Sequence, residues 1–279
     1  MSLAARLEKA GSYLLLLLIG VVALAPFGIL LLMSFKNRIQ LLDGPFAFDV
    51  RLDVIMRNYN EVLNNRGFIQ LLINSVIVSF SSILISLLLA VPAAYAISRF
   101  TFAGRESLGS TLVSFRFMPA VAVVIPIFLM VNRVGLTDNY FGLILPYVAM
   151  ALPLMIWILI GFFDELPPEL DEAGLVDGCT RLQVLWRIML PLMRPGMVVA
   201  AIFGLIFVWN EFLVGLFVIN SAAMQTVPIG AANLLSAQRP IAYNLAAAVG
   251  VVTTIPVFLF ALVAQRSIVR GITAGAVHG

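Results

Sequence analysis

Six stretches of this chain are apolar over the ~20 residues a helix needs to cross a bilayer: 13–35, 68–97, 108–131, 141–163, 195–219 and 245–264. No other feature restricts the fold as much. In hydrocarbon every backbone polar group must be satisfied within the protein, and runs of this length do so as helices. Charged residues make up 11% of the chain, against roughly a quarter in soluble domains. With a mean hydropathy of +1.06, the chain is expected to be an all-α membrane protein with six transmembrane helices. The second run is long enough that its first turn is expected outside the hydrocarbon. Pro26, Pro92, Pro119, Pro126, Pro146, Pro153 and Pro256 fall inside or at the edges of the runs. They imply kinked helices around a cavity more readily than a straight bundle.

Ala23-Leu24-Ala25 resembles a signal-peptide cleavage site, but the apolar run continues to Phe35 and Pro26 follows directly. That exceeds the roughly 7–15-residue core of a signal peptide, so the first run is read as a retained membrane helix. The whole chain, 1–279, is expected to be a single transmembrane domain. It has an outer excursion at 36–67, a cytoplasmic loop at 164–194 and a C-terminal cytoplasmic tail at 265–279. Counting Lys and Arg favours both termini in the cytosol, with Arg181, Arg187 and Arg194 on the same side. The bias sharpens when the excursion is set aside, since the other two outer loops carry only Arg133 and Arg239. The excursion has room for a short helix plus a turn, either as a docking surface or as a solvated loop.

Several chemistries are excluded early. The one cysteine, Cys179, allows no disulfide within the chain, and the one histidine, His278, allows no His-rich metal site. The net charge of +3 is scattered, without a basic block for nucleic acid. The two lysines, Lys9 and Lys36, follow no phosphate-cradling glycine loop. Energy for any transport must therefore come from a partner or an ion gradient.

Residues 167–196, "PPELDEAGLVDGCTRLQVLWRIMLPLMRPG", stand apart from the oily remainder. Pro167 and Pro168 suit a helix's first turn, and Glu169, Asp171 and Glu172 favour its positive end. The helix is expected to run to about Asp177, where Gly178 offers a left-handed termination. Thr180 and Gln183 form a capping box for a second helix. Leu182, Leu185, Trp186 and Met189 would give that helix one apolar face, with Pro191 closing it. The small residues Ala173, Gly174 and Gly178 would admit another backbone closely. Two readings suit such a segment: a knob for a partner's groove, or an amphipathic helix resting at the headgroups.

Polar groups within the apolar runs are the other candidates. Arg116 and Glu211 are ionisable, and such groups usually face a cavity or a partner. Asn74, Tyr95 and Asn210 add neutral hydrogen-bonding groups, and Trp209 offers a face to a sugar ring. All six are candidates for a solute path. Alternatively, Arg116 caps carbonyls freed near Pro119, and Asn210 or Glu211 links helices.

The spacing Glu172-Ala173-Gly174, Asp177-Gly178, Ile188, Leu190-Pro191 resembles the "EAA…DG…I.LP" loop of permease subunits of ATP-binding cassette importers. Gly174 stands where that pattern usually has a second alanine, and Cys179 where alanine is frequent. "NSVIVSF" at 74–80, "PAAYAISRF" at 92–100, "RFMP" at 116–119, "WNEF" at 209–212 and "RGITAGAVHG" at 270–279 are similar to the carbohydrate branch, specifically the maltose-type second permease. His278 replaces that family's usual lysine near the end.

The resemblance implies a type I importer permease fold with a cytoplasmic coupling helix between the fourth and fifth membrane helices. It implies a non-catalytic subunit that forms half of the path for a carbohydrate or related polar solute. ATP and magnesium would sit on partner ATPases, and no cofactor or metal on this chain. The partners it implies are a second homologous permease, two ATP-binding cassette subunits and a periplasmic solute-binding protein in a bacterial inner membrane. Glu172, Ala173, Gly174, Asp177 and Gly178 would couple to the ATPase through the 169–191 loop, and Gly271, Thr273 and Gly275 in the tail would contact it. An ion-coupled secondary transporter is the alternative. It predicts acidic relays or an inverted repeat, whereas Glu211 is the clear intramembrane acid. An intramembrane hydrolase lacks a Ser/His pair, H-E-x-x-H or paired aspartates.

Overall fold

The computed structural model describes residues 3–41, 44, 50–65, 67–236 and 242–275. All regular structure among them is helical: α1 (Leu3–Ser34), α2 (Leu52–Asn60), α3 (Phe68–Arg99), α4 (Arg105–Ser114), α5 (Ala120–Arg133), α6 (Tyr140–Asp164), α7 (Glu169–Val176), α8 (Arg181–Gln183), α9 (Leu190–Leu192), α10 (Arg194–Trp209), α11 (Leu213–Val218), α12 (Val227–Ser236) and α13 (Tyr243–Gly275). Glu8–Ser34, Phe68–Arg99, Tyr140–Asp164 and Tyr243–Leu262 are each long and apolar enough to cross a membrane. Arg181–Leu192 and Arg194–Trp209 together make a fifth such element, bent by 79°.

Two expected single helices are broken. In the third run, α4 passes through a 3₁₀ turn at Phe115–Phe117 and ends at Met118, whose ψ is 130°. A residue preceding proline is driven from helical to extended backbone, and Pro119 then starts α5. In the fifth run, α10 stops at Trp209 and α11 resumes at Leu213.

The chain divides into two compact units. The first comprises Met1–Ile69 and Ala231–Ile255. In it, Asn58 serves the end of α1: its Nδ2 donates to Ser34 O (2.9 Å), a carbonyl without an intrahelical donor, and to Lys36 O (2.8 Å) just beyond the helix. Asn244 of α13 donates to Asn58 Oδ1 at 3.0 Å. From Tyr13 to Leu24 the apolar side chains of α1 are largely exposed, as suits a helix facing lipid or another chain. The excursion supplies α2 and a π turn at Glu61–Asn65, a short helix plus a turn as its length suggests.

The second unit comprises Gln70–Gly230 and Pro256–Gly279. Its core centres on α6, where Tyr147, Ala151, Met155, Leu159 and Phe163 are buried. Gly204 of α10 lets that helix approach closely, because a Cβ there would meet Met155 Sδ and Ile83 Cδ1 at 2.9 Å each. Small residues serve this purpose in membrane helix packing.

Candidate functional site: the 164–194 segment and a cleft at the α10–α11 break

The polar insert folds from its local chemistry. Pro168 precedes α7, and Asp171 N–H donates to Pro168 O at 3.0 Å. At the other end, Gly178 N–H donates to Leu175 O and Cys179 N–H to Gly174 O, both at 3.0 Å. With Gly178 at φ +83°, these bonds form a Schellman motif that satisfies two orphan carbonyls. Thr180 accepts from Gln183 N–H at 3.3 Å while Gln183 Oε1 accepts from Thr180 N–H at 2.8 Å, completing the capping box.

Beyond Gln183 the structure departs from the expected pattern. Val184–Met189 is a π turn, and its extra residue rotates the helix. The buried face is therefore Val184, Leu185 and Met189, with Ile188 half-buried, while Leu182 and Trp186 are exposed. Pro191 does not close the helix; the chain continues to Leu192 and turns into α10 at Met193.

Alternation along α7 divides it into two faces. Asp171 and Gly174 are buried, whereas Glu172, Ala173, Val176, Asp177 and Gly178 are exposed, with Val176 88% accessible. Gly174 is occupied by the chain's own second helix: a Cβ there would lie 2.6 Å from Ile188 Cδ1 and 2.9 Å from Val184 Cγ2. It is thus the small residue that holds the two short helices together, while Ala173 and Gly178 remain on the open side.

Asp171 is fixed by α3. Arg99 Nε donates to its Oδ2 at 2.9 Å and the Tyr95 hydroxyl to its Oδ1 at 2.6 Å. The side chains of Arg99 and Asp171 are only 9% and 5% exposed. Arg99 Nη2 also donates to Leu166 O at 2.8 Å, and Ser98 Oγ is hydrogen-bonded to Asp164. Arg181, at the start of α8, lies over the Phe100 ring at 5.5 Å.

A cleft of about 700 Å³ opens beside the break in the fifth run, lined by Met150, Phe203, Phe207, Asn210, Glu211 and Phe212 among others. Of the six candidate path residues, the structure brings Asn210 and Glu211 to this cleft. The Glu211 carboxylate accepts from Val214 N–H (3.0 Å) and Gly215 N–H (3.4 Å), capping α11, and Asn210 Nδ2 donates back to Ile206 O. Tyr95 is buried on Asp171, and Trp209 is 1% exposed, edge-on to Phe260. Asn74 is buried, donating to Ala223 O and Gln225 O at 2.8 Å each and accepting from Tyr140 and Gln70. The backbone of Arg116 is in the 3₁₀ turn; its side chain lies outside the described residues. Gly271, Thr273 and Gly275 are in the last turns of α13, so the start of the tail is helical, and His278 lies outside the described residues.

Sequence reading missed two anchors. Arg99 was passed over within "PAAYAISRF" and Asp171 counted only as a helix-dipole acid, because their pairing spans 72 positions. The other is Asp138, at φ +57°, whose carboxylate accepts from Asn220 N–H and Ser221 N–H at 2.9 Å each. The Ser221 amide foremost, then the Asn220 amide and Ser221 hydroxyl, hold that carboxyl below its ordinary value against a smaller upward push from burial. Asp138 tolerates the left-handed backbone better than most residues, and a polar residue three positions after Gly135 was the available signal. Among the described residues no three His, Cys, Asp or Glu side chains gather to hold a metal.

Comparison with known proteins gives a consistent set. Residues 82–274 match the family described as binding-protein-dependent transport system inner membrane component. The trehalose transport system permease protein SugB of Mycobacterium tuberculosis is 38% identical over 227 residues, covering 81% of this chain and 83% of that protein. The trehalose/maltose transport system permease protein MalG of Thermococcus litoralis is 33% identical, covering 94% of each. Among solved structures, a chain of a bacterial ABC transporter involved in import of the acidic polysaccharide alginate superposes with a TM-score of 0.77. That match covers 95% of this chain and 98% of the other at 22% identity, and it supports the fold.

Proposed function

The chain belongs to the family of binding-protein-dependent transport system inner membrane components, and on that premise we propose that it is the maltose-type second permease of an ATP-driven carbohydrate importer. Membership in this family implies conduction of a solute rather than catalysis of bond chemistry. In this reading the chain is one permease domain of six spans: α1, α3, the α4–α5 composite, α6, the α10–α11 composite and α13. Both termini and the 164–194 segment face the cytosol, where α7 is the coupling helix between the fourth and fifth spans. The complex contains a second, unlike permease, two ATP-binding cassette subunits and a periplasmic binding protein. ATP binding by the cassette subunits moves the coupling helices and reorients the spans, and solute leaves to the cytosol after hydrolysis.

The observation that carries the reading is the two-faced α7. Its inner face is pinned by Asp171 and Gly174, and its outer face presents Glu172, Ala173, Val176, Asp177 and Gly178 with no cover from the described residues. A helix resting at the headgroups would turn its apolar face to lipid and its charges to water; here Val176 shares the open face with Glu172 and Asp177. Gly271, Thr273 and Gly275 reach the ATPase from the tail. The cleft at the α10–α11 break, with aromatic rings and the polar Asn210 and Glu211, suits a hydroxyl-rich solute, and relatives named for trehalose and maltose support an oligosaccharide. An ion-coupled mechanism gains nothing from Glu211, whose carboxylate is engaged by two amides.

The test is extraction of the tagged chain from its native membrane in mild detergent, with mass spectrometry of what co-purifies. An ATP-binding cassette subunit and a second permease are expected. Both should be lost when residues 171–178 are scrambled while membrane insertion persists. Recovery of the chain alone under several mild conditions would overturn the reading.

A further inference from the structure

The end of α3 holds the link between α6 and α7 at both ends. Tyr95, Ser98 and Arg99 are spaced i, i+3, i+4 and so share one face of the helix. From that face Ser98 bonds Asp164, the last residue of α6. Arg99 bonds Leu166 O in the link and Asp171 in the first turn of α7. Tyr95 adds a 2.6 Å bond to the other carboxylate oxygen. We propose that Tyr95 and Arg99 are positioning residues that fix the orientation of the ATPase-docking helix through Asp171.

The chemistry of the pair favours this role over simple packing. Buried ion pairs are weak contributors to stability relative to apolar replacements, but they demand one geometry. Here the guanidinium satisfies two acceptors in different places, Asp171 Oδ2 with Nε and Leu166 O with Nη2. That needs a planar fork and cannot be reproduced by a lysine ammonium. By contrast, the pair between Arg51 and Asp53 is largely exposed. Among the described residues the outer face of α7 makes no comparable bond, so its direction is set from Asp171 inward, with Gly174 limiting how far α7 stands from the second helix. The role of α7 as docking helix rests on the function proposed above; the positioning by α3 stands on this chain alone.

The experiment uses the full chain in lipid nanodiscs with Cys179→Ser and spin labels at Leu88 on α3 and Val176 on α7, both exposed. The parent should give one narrow distance distribution. Asp171→Asn, which keeps shape but not charge, and Arg99→Lys, which breaks the fork, should broaden it at least twofold. Asp171→Glu, which keeps charge but not shape, should restore most of the sharpness. A packing role predicts the reverse order, with Asn sharp and Glu broad, and that order overturns the proposal, as does an unchanged width in all variants. In the purified complex, Asp171→Asn should weaken retention of the ATPase subunit at least fivefold, with Asp171→Glu near the parent; equal retention in both refutes the effect on docking. If the parent retains no ATPase, the importer reading fails, and the label widths still decide the positioning claim.

Discussion

Gly178 allows a clean prediction, because the structure separates its conformational role from its steric one. Its φ is +83°, and a Cβ added there meets nothing within 4 Å. Any cost of substitution in the isolated chain is therefore backbone strain rather than collision. An ordinary L-residue in this region loses about 1–2 kcal/mol, and Asn less because its side chain bonds locally. Proline adds a fixed φ near −65° and removes an N–H, worth about 3 kcal/mol or more; the bond lost is the one from Gly178 to Leu175 O at 3.0 Å. The predicted order of damage is Asn, then Ala, then Pro. The amides of Gly178 and Cys179 close the Schellman motif, so strain should appear as faster local opening. For Gly178→Ala, about 1–2 kcal/mol corresponds to roughly 5–30-fold faster hydrogen exchange at Cys179. Exchange measured on the full chain in nanodiscs, without any ATPase, excludes effects on docking. Equal exchange in Gly178→Ala and the parent, or Asn as damaging as Ala, would refute the assignment of this glycine to helix termination.

Two further outcomes test other anchors. Asn74→Ala leaves Ala223 O and Gln225 O without their donor, and an orphaned buried polar group costs about 1–3 kcal/mol; thermal unfolding in detergent should fall measurably, and an unchanged midpoint would contradict the buried geometry. Asp138→Asn should lower the unfolding temperature at neutral pH by weakening the tie to Asn220 and Ser221. Because the native carboxyl titrates below its ordinary value, the stabilisation is complete above that value, near 3.9, and is lost as pH falls through the native one. The variant and parent should therefore converge in acid and diverge near neutrality, and a gap that persists into acid would rule out the carboxylate as its source.

What was legible in the sequence follows the range of the interactions involved. The Gly178 termination and the Thr180–Gln183 capping box depend on residues within five positions of each other, and both are present as read. The long runs at α1, α3, α6 and α13 were legible because hydrocarbon leaves few options for such stretches. The helix breaks were only half legible: Pro119 announces one, but nothing in the apolar run announces the interruption at Asn210–Phe212. The apolar face after Thr180 was misread because a π turn shifts the register by one residue, a change without a sequence signature at Val184–Met189. Tyr95 shows the remaining gap. An isolated polar residue in a membrane run predicts that it needs a partner, but a cavity and a buried aspartate answer that need equally well, and only the folded chain distinguishes them.

The division of α7 also bears on how such a subunit can be re-engineered. Folding information in this helix resides at Asp171 and Gly174, and the surface offered outward resides at Glu172, Ala173, Val176, Asp177 and Gly178. Apart from Gly178, whose backbone also ends the helix, the two sets do not overlap. The address on the outside can be rewritten, for instance with the corresponding side chains of another transporter, while the mounting beneath it is untouched, leaving Gly178 in place because its backbone serves both purposes. In the docking role proposed above, a short helix built this way acts as an interchangeable plug, and pairing rules between permeases and their motors can drift without disturbing the fold that carries them.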